Sequence, residues 1–200
     1  MKKLDFNIVL LGMIASGKDT QTALLTKKFP LQLVETGVYS RKLLKEKSKN
    51  GDWARRTTGK GHPLPTVLLQ QFLVREIKKQ PKNKNLLFLG GRLKPEAQLI
   101  KKLVVNEKKE KLLAFYIKLA DKEVYKRSFA RKASNVSEIY KVLDEKKLIA
   151  TRIKWHKDQV GKTVKYYQKL GIMRVINGNQ PIAKVHKDIL KEIEKFRKNG

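Results

Sequence analysis

The sequence lacks several features that mark particular classes of protein. It contains no cysteine, which excludes disulfide frameworks, thiolate zinc sites and cysteine nucleophiles. Its three histidines, His62, His156 and His186, share no metal-ligand spacing. No apolar run approaches the ~18 residues of a membrane span, and the first residues do not resemble a signal peptide. We therefore expect a cytoplasmic protein in a reducing compartment, without a membrane segment.

Acidic residues are scarce, with 18 Asp and Glu against 47 Lys and Arg, for a net charge of +29. Such a charge favours anionic partners, nucleic acid included. However, the basic residues are spread along the whole chain, and aromatic residues do not alternate with them in the pattern of a base-stacking surface. We therefore expect small anionic ligands such as nucleotides and no specific binding of nucleic acid, although an RNA-associated protein remains an alternative. We also expect a monomer.

The hydrophobic pattern predicts one α/β domain within the 200 residues. Five short apolar runs alternate with helical segments, and no hairpin signal joins any two of them. This order predicts a five-stranded parallel sheet with helices on both faces. The expected strands are Phe6–Leu11, Leu31–Val34, Leu86–Leu89, Leu112–Leu119 and Gly171–Ile176.

Two segments between the strands are expected to be irregular. The tripeptide Asn50-Gly51-Asp52 predicts a turn, and the run Thr57–Pro65, with two Gly and two Pro, predicts a loop. By contrast, the pattern from about Asp144 to Leu170 predicts one long helix.

A phosphate-binding loop is expected directly after the first strand. Residues 12–20 match G-x-x-x-x-G-K between a strand and a helix, with Gly12, Gly17 and Lys18 at the defined positions. Backbone N–H groups of such a loop and the following helix N-terminus face one concavity, which suits a polyphosphate. The Lys18 ammonium supplies a cation that can follow the transferring phosphoryl group.

This loop resembles that of the adenylate kinases and related nucleoside monophosphate kinases, whose usual form is G-x-P-G-A-G-K-G-T-Q. Ala15 and Asp19 stand where that family usually has Gly, so we expect a slightly reshaped loop. The resemblance implies a P-loop NTPase three-layer α/β sandwich. It also implies that ATP binds at Gly12, Ala15, Ser16, Gly17, Lys18, Asp19 and Thr20.

Further motifs extend the resemblance toward the acceptor nucleotide. Thr36-Gly37-x-x-x-Arg41 resembles the family's S-T-G-D-x-x-R, and the stretch up to Pro65 resembles the loop that borders the acceptor base. Gly91–Ala97 resembles the segment D-G-F-P-R-T-x-x-Q-A. The resemblance implies that the acceptor is held by Thr36, Gly37, Arg41, Arg92 and Glu96.

The second half of the chain resembles the family's lid and donor side. Arg127 and Arg131 match a pair of arginines at the lid entrance, Asp144 matches a lid carboxylate, and Arg152 matches the last catalytic arginine. Lys141 stands where the family has another Arg, and Gln180 lies in a loop like the one beside the donor adenine. The implied boundaries are a core of residues 1–35, 67–130 and 144–200, a monophosphate-binding subdomain near 36–66 and a short lid near 131–143.

The arginines support this assignment independently. Only 10 of the 47 basic residues are arginine, yet five of them fall on family positions. The planar guanidinium binds phosphate bidentately, which Lys does not do. The resemblance implies that the catalytic groups are Lys18, Arg92, Arg131 and Arg152.

Two departures from the family pattern affect the chemistry. The Asp of D-G-F-P-R, which orients hydrated magnesium, is missing from residues 88–92, so we expect Asp19 to take this role through water, with Asp144 next in line. Glu96 stands where relatives specific for AMP have Gln. An ionised Glu only accepts hydrogen bonds and so complements guanine better than adenine, but Gln98 could make the base contact instead.

These observations lead to an expected reaction. We expect a nucleoside monophosphate kinase that transfers the ATP γ-phosphoryl group to AMP with Mg²⁺, giving two ADP. Kinases for GMP or for UMP and CMP remain alternatives. So does a catalytically weakened nucleotide-binding protein.

Overall fold

The computed structural model describes residues 3–133 and 144–199. Five strands form one parallel sheet, as the sequence predicts, and their order is β2-β3-β1-β4-β5. The strands are β1 (Phe6–Gly12), β2 (Leu31–Val34), β3 (Asn85–Phe88), β4 (Lys111–Lys118) and β5 (Met173–Asn177). The fold is that of the P-loop NTPases, with the phosphate loop at the carboxyl end of the central strand β1.

Helices connect the strands and cover both faces of the sheet. Their bounds are α1 (Lys18–Lys28), α2 (Thr36–Leu44), α3 (Lys49–Thr57), α4 (Thr66–Lys78), α5 (Lys94–Ile100), α6 (Asp121–Ala133), α7 (Lys146–Trp155), α8 (Gly161–Lys169) and α9 (Ile182–Asn199). A π-helical segment, Lys101–Glu107, continues α5, and another, His156–Val160, joins α7 to α8. Within the described residues, no helix has the length and apolar character needed to cross a membrane.

Both faces of the sheet are buried because β1 alternates between two hydrophobic clusters. Ile8 and Leu10 pack on the side of α1 and α9, whereas Val9 and Leu11 pack on the side of α4, α5 and α8. All seven residues of β1 are buried. This two-sided burial explains why its sequence is a continuous apolar run without polar alternation.

The segment after β2 has a hydrophobic cluster of its own, formed by Leu43, Ala54, Leu64, Leu68 and Leu69. It includes α3, where the sequence predicted a turn at residues 50–52, and that prediction was wrong. The Ser48 hydroxyl caps α3 by accepting a hydrogen bond from the Gly51 amide at 3.1 Å. Gly51 is required for close packing, because a Cβ there would lie 2.0 Å from the Glu46 carbonyl oxygen.

Candidate active site

The phosphate loop lies between β1 and α1, with Gly17 in the left-handed region at φ 86° as the residue before α1. The Lys18 side chain folds back over the loop. Its Nζ donates hydrogen bonds to the carbonyl oxygens of Gly12 at 2.8 Å and Met13 at 2.7 Å. The ammonium therefore lies above the loop, where a bound phosphate would compete with these carbonyls for it.

Ala15 adopts a left-handed conformation within this loop, at φ 55°. The sequence predicted a slightly reshaped loop at this position because Ala has a Cβ that Gly lacks. The backbone instead keeps a conformation natural to glycine, at a cost of about 1–2 kcal/mol for an L-residue. The loop therefore stores strain at Ala15.

Burial and the nearby cations of Arg92, Arg152 and Arg131 together lower the pKa of the Lys18 ammonium to about 7, although Asp19 acts in the opposite direction. Three arginines thus act on the same lysine, although they come from distant segments of the chain. Such a concentration of positive charge is unfavourable in the protein alone. It becomes favourable when the negative charges of phosphate groups are added.

Two adjoining cavities open at this cluster. One lies against the phosphate loop and includes residues 14–20, Glu35, Arg127 and Arg131 in its lining. The other lies between α2, the loop before α4 and the α7 end, and Glu96, His62 and Trp155 are among its lining residues. Six residues line both cavities: Ile14, Lys18, Gly37, Arg41, Arg92 and Arg152. We refer to the first as the donor cavity and to the second as the acceptor cavity.

The acceptor cavity places two arginines against the start of α2. A Cβ at Gly37 would lie 3.2 Å from an Arg41 guanidinium nitrogen and 3.3 Å from one of Arg92. Thr36 packs so closely on Gly90 that a Cβ there would lie 2.5 Å from the Thr36 hydroxyl oxygen. The absence of a side chain at Gly37 therefore gives Arg41 and Arg92 room beside α2, and its absence at Gly90 lets Thr36 pack against the loop after β3.

Glu96 lies at the base of the acceptor cavity, with only 1% of its surface exposed. Burial raises its pKa to about 7, whereas Arg92 and the backbone amides of Leu93 and Arg92 lower it. Gln98, the alternative base contact, is exposed on α5 and does not line the cavity. Of these two residues, only Glu96 is placed to contact a ligand in the cavity.

The acceptor cavity also contains residues that the motifs did not single out. His156 begins the π-helical segment after α7 and lies beside Trp155 in the lining. Its Nε2 is 3.2 Å from the Tyr116 hydroxyl, and burial lowers its pKa to about 3, so the ring is neutral at physiological pH. His62 comes from the loop after α3, as the acceptor-loop resemblance would allow. No signal in the sequence connected His156 with this cavity, because His156 comes near the other lining residues only in the folded chain.

On the donor side, the lid arginines are tied to a single carboxylate. Arg131 binds Asp144 through two hydrogen bonds of 2.7 Å each, and Arg152 approaches the same carboxylate at 3.4 Å. Asp144 has no exposed side-chain surface. It therefore holds the two arginines, one from the end of α6 and one from α7, at the same end of the donor cavity. Lys141 lies outside the described residues.

Arg127 and Gln180 lie at the outer edge of the donor cavity. Arg127 pairs with Glu123 at 2.8 Å and donates to the Gly178 carbonyl at 3.0 Å, which ties α6 to the loop after β5. Gln180 follows in that loop and donates to Asp188 of α9 at 2.6 Å. Arg127 lines the donor cavity, whereas Gln180 lies beyond the residues that line it.

The carboxylates that could assist a metal ion also lie on the donor side. Phe88 is fully buried at the end of β3, where the family has its Asp. Asp19 is exposed in the first turn of α1, and half-buried Glu35 lines the same cavity. Burial raises the pKa of Glu35, with a further contribution from Asp19. Asp144 does not fit this role, because Arg131 already occupies both of its oxygens.

Comparison with known proteins agrees with this geometry. The family model "Adenylate kinase" matches residues 10–172. A curated adenylate kinase of Azobacteroides pseudotrichonymphae is 27% identical, covering 94% of this chain and 97% of its own length. Those of Methanothrix thermoacetophila and Leuconostoc mesenteroides are each 25% identical and cover 96% and 92% of this chain.

The sequence left three functions open: a kinase, an RNA-associated protein and a catalytically weakened nucleotide-binding protein. The family match supports the kinase. The converging cations are what phosphoryl transfer requires, since that chemistry depends on positioning and electrostatic stabilisation more than on covalent catalysis. The chain therefore belongs to the adenylate kinase family and is a phosphotransferase that acts on nucleoside monophosphates.

Proposed function

We propose that this enzyme transfers the γ-phosphoryl group of ATP to AMP, giving two ADP. The observation that carries the proposal is the pair of cavities that meet at Lys18, Arg41, Arg92 and Arg152. A donor in one cavity and an acceptor in the other would bring their phosphates together at these cations. The names of the relatives support adenine nucleotides as the substrates.

The catalytic groups in this proposal are Lys18, Arg92, Arg131 and Arg152. Negative charge on the equatorial oxygens of the transferring group would be stabilised by cations already held in place, without reorganisation during the step. Asp144 orients Arg131 and Arg152 from behind through the contacts described above. In this role Asp144 is a positioning residue.

The two nucleotides would be held by different kinds of group. The ATP phosphates would lie on the backbone of the phosphate loop, at Gly12, Ala15, Ser16, Gly17, Lys18, Asp19 and Thr20. Its adenine would lie near Arg127 and the loop that contains Gln180. The acceptor would be held by Thr36, Gly37, Arg41 and Arg92 at its phosphate and by Glu96 at its base.

We also propose that residues 36–66 form a unit that moves relative to the core of 1–35, 67–130 and 144–200. The second unit expected from the sequence, a short lid near 131–143, falls mostly outside the described residues. The separate hydrophobic cluster around Leu43 and Leu64 supports the first of these units. Gly61 lies in the loop before α4, and a Cβ added there would be 3.2 Å from the Arg152 side chain. When the unit of residues 36–66 closes, it therefore covers a proposed catalytic group. Closure excludes water and so limits wasteful ATP hydrolysis. We expect a cytoplasmic monomer.

Magnesium would bind with ATP, and the donor cavity contains residues that fit it. Mg²⁺ is usually held by one or two carboxylates together with phosphates and water. Asp19 and Glu35 supply such carboxylates. The mutual repulsion that raises the Glu35 pKa would be relieved by a cation between them. Magnesium supplies charge neutralisation at the phosphates.

Binding of Mn²⁺ as a probe, followed by electron paramagnetic resonance in the presence of ATP, tests this assignment without turnover. Asp19→Asn and Glu35→Gln should each weaken Mn²⁺ binding several-fold. Asp52→Asn, an exposed carboxylate on α3, is the matched control and should leave binding unchanged. Unchanged binding in both variants would mean that other groups hold the metal.

Turnover with ATP and each of AMP, GMP, CMP, UMP and dTMP, followed by chromatography of the diphosphate products, tests the reaction. At pH 6 we expect the highest kcat/KM with AMP and ADP as the sole product. A higher kcat/KM with a pyrimidine nucleotide at that pH would refute AMP as the acceptor.

A further inference from the structure

Glu96 is the residue of the acceptor cavity whose chemistry the proposed reaction does not explain. It is the third residue of α5, and the backbone amides of Leu93 and Arg92 donate toward its carboxylate. Its Oε1 atom is buried and has no hydrogen-bond partner among the described residues. A buried oxygen with free lone pairs is costly unless a ligand supplies the partner. Since Glu96 lines the cavity, that ligand is the base of the acceptor.

The charges around Glu96 come from several elements. Arg92, in the loop before α5, is the opposite charge that acts on it most strongly, and Tyr167 of α8 faces it with a buried hydroxyl that has no described partner. The other ionisable groups of the cavity are Lys18, Arg41, His62, Arg152 and His156. Burial outweighs Arg92 and the two backbone amides and raises the pKa of Glu96 to about 7. The neutral acid and the carboxylate are therefore both populated near neutral pH.

The two forms of Glu96 present different hydrogen-bond patterns to a base. A protonated carboxyl group has one donor and one acceptor, like the Gln amide of relatives specific for AMP. It complements N1 of adenine, an acceptor, and the adjacent amino group, a donor. A carboxylate has only acceptors and complements the two adjacent donors of guanine, N1–H and the 2-amino group. Each form leaves a buried mismatch with the other base, and a buried mismatch is strongly disfavoured.

We propose that Glu96 reads the acceptor base in two protonation states, so that the neutral acid selects adenine and the carboxylate selects guanine. The inference rests on the proposed function, because it takes this cavity as the acceptor site. AMP binding then draws a proton onto Glu96, and AMP affinity falls as the pH rises. GMP affinity changes in the opposite direction.

Calorimetric titration of the intact protein with AMP and with GMP, at pH 6, 7 and 8.5, tests this proposal. Repeating each titration in two buffers of different ionisation enthalpy would measure the number of protons that the complex takes up when AMP binds. Between pH 7 and pH 8.5, the AMP Kd of the wild type should rise about tenfold more than the AMP Kd of Glu96→Gln. The reason is that the protonated fraction of Glu96 in the wild type falls by about that factor. The selectivity for GMP over AMP at pH 8.5 should disappear in the variant.

The comparison with Glu96→Gln removes other sources of pH dependence. The phosphate of AMP and the Lys18 ammonium titrate in both proteins, so only the difference between the two pH profiles reports on Glu96. Gln98→Ala, on the exposed side of the same helix, is the matched control and should leave both affinities unchanged. A melting temperature at or above that of the wild type shows that Glu96→Gln is folded.

Equal pH profiles and equal base selectivity in the wild type and Glu96→Gln would overturn the inference. If AMP were nevertheless phosphorylated best at pH 6, the proposed function would stand and only the role of Glu96 would fall. If another nucleotide were the best acceptor at pH 6 in both proteins, the proposed function itself would fail. The two failures are therefore distinguishable.

Discussion

The donor and acceptor cavities of this enzyme are built differently. On the donor side, the continuous loop of residues 12–20 forms much of the lining, and Arg127 and Arg131 line the cavity from α6. On the acceptor side, groups from α2, α5, α7 and the loop before α4 enclose a cavity with buried ionisable residues. In the proposed reaction, phosphate recognition would therefore depend largely on local backbone, whereas base recognition would depend on packing.

The two sides also differ in the ionisable groups that they bring together. The donor side gathers cations whose mutual repulsion a polyphosphate relieves. The acceptor side buries Glu96 and His156 deeply enough to favour their neutral forms. In the proposed reaction, the cations that line both cavities would bind the phosphates of the two nucleotides. Hydrogen bonds to Glu96 would distinguish one acceptor base from another.

The largest effect should come from the donor side. Lys18→Ala should lower kcat by about 10²–10³, because one preorganised cation at the transferring phosphate is removed. Lys28→Ala, at the other end of α1 and exposed, is the matched control. Steady-state kinetics measure the effect, and melting temperatures should show both variants folded. Near-normal turnover of Lys18→Ala would show that phosphate recognition does not depend on this loop.

On the acceptor side, Glu96→Gln should change stability in a pH-dependent way. Because folding raises the Glu96 pKa from 4.5 to about 7, the native state holds a proton that the unfolded state releases. This contribution to stability is fully present below pH 4.5 and is lost as the pH rises through 7. The variant should therefore be more stable than the wild type by about 3 kcal/mol at pH 8, with no gain at pH 4.5.

Urea unfolding of both proteins at the two pH values measures this difference. The same difference in stability at both pH values would mean that folding does not raise the pKa of Glu96. In that case burial on the acceptor side would not favour the neutral form of this residue.

The boundary between the two cavities should depend on guanidinium geometry. Arg152→Lys should lower kcat about 10- to 100-fold with little change in melting temperature, because Lys keeps the charge but loses the planar fork. Arg75→Lys, on the exposed surface of α4, controls for the loss of a guanidinium alone. If the two variants had equal kinetics, Arg152 would be a structural partner of Asp144 and not a catalytic group.

The smallest effect concerns the strain in the phosphate loop. Ala15→Gly should stabilise the protein by about 0.5–1 kcal/mol, because Gly adopts the positive φ of this position without a steric cost. The greater flexibility of Gly in the unfolded state offsets part of this gain. Urea unfolding measures the change, with Ala23→Gly in the exposed part of α1 as the control that should destabilise. Destabilisation by Ala15→Gly would show that the loop holds Ala15 without strain.

The sequence by itself determined the sheet, the phosphate loop and the family. Apolar runs such as residues 6–11 and 112–119 are local signals, and a loop of fixed spacing binds phosphate through its own backbone. The turn predicted at residues 50–52 failed for a tertiary reason. Gly51 serves the packing of α3 against Glu46, and Ser48 supplies the cap that makes the segment helical.

Only the tertiary structure decided which residues form the acceptor cavity and in what state. The motif located Glu96, but its burial, its unpartnered oxygen and its raised pKa follow from neighbours distant in the chain. Likewise, the joining of Arg131 and Arg152 through Asp144 depends on how α6 and α7 meet. Sequence patterns report local geometry. The ionisation of a buried group depends instead on the complete fold, which removes solvent from the group and brings distant charges near it.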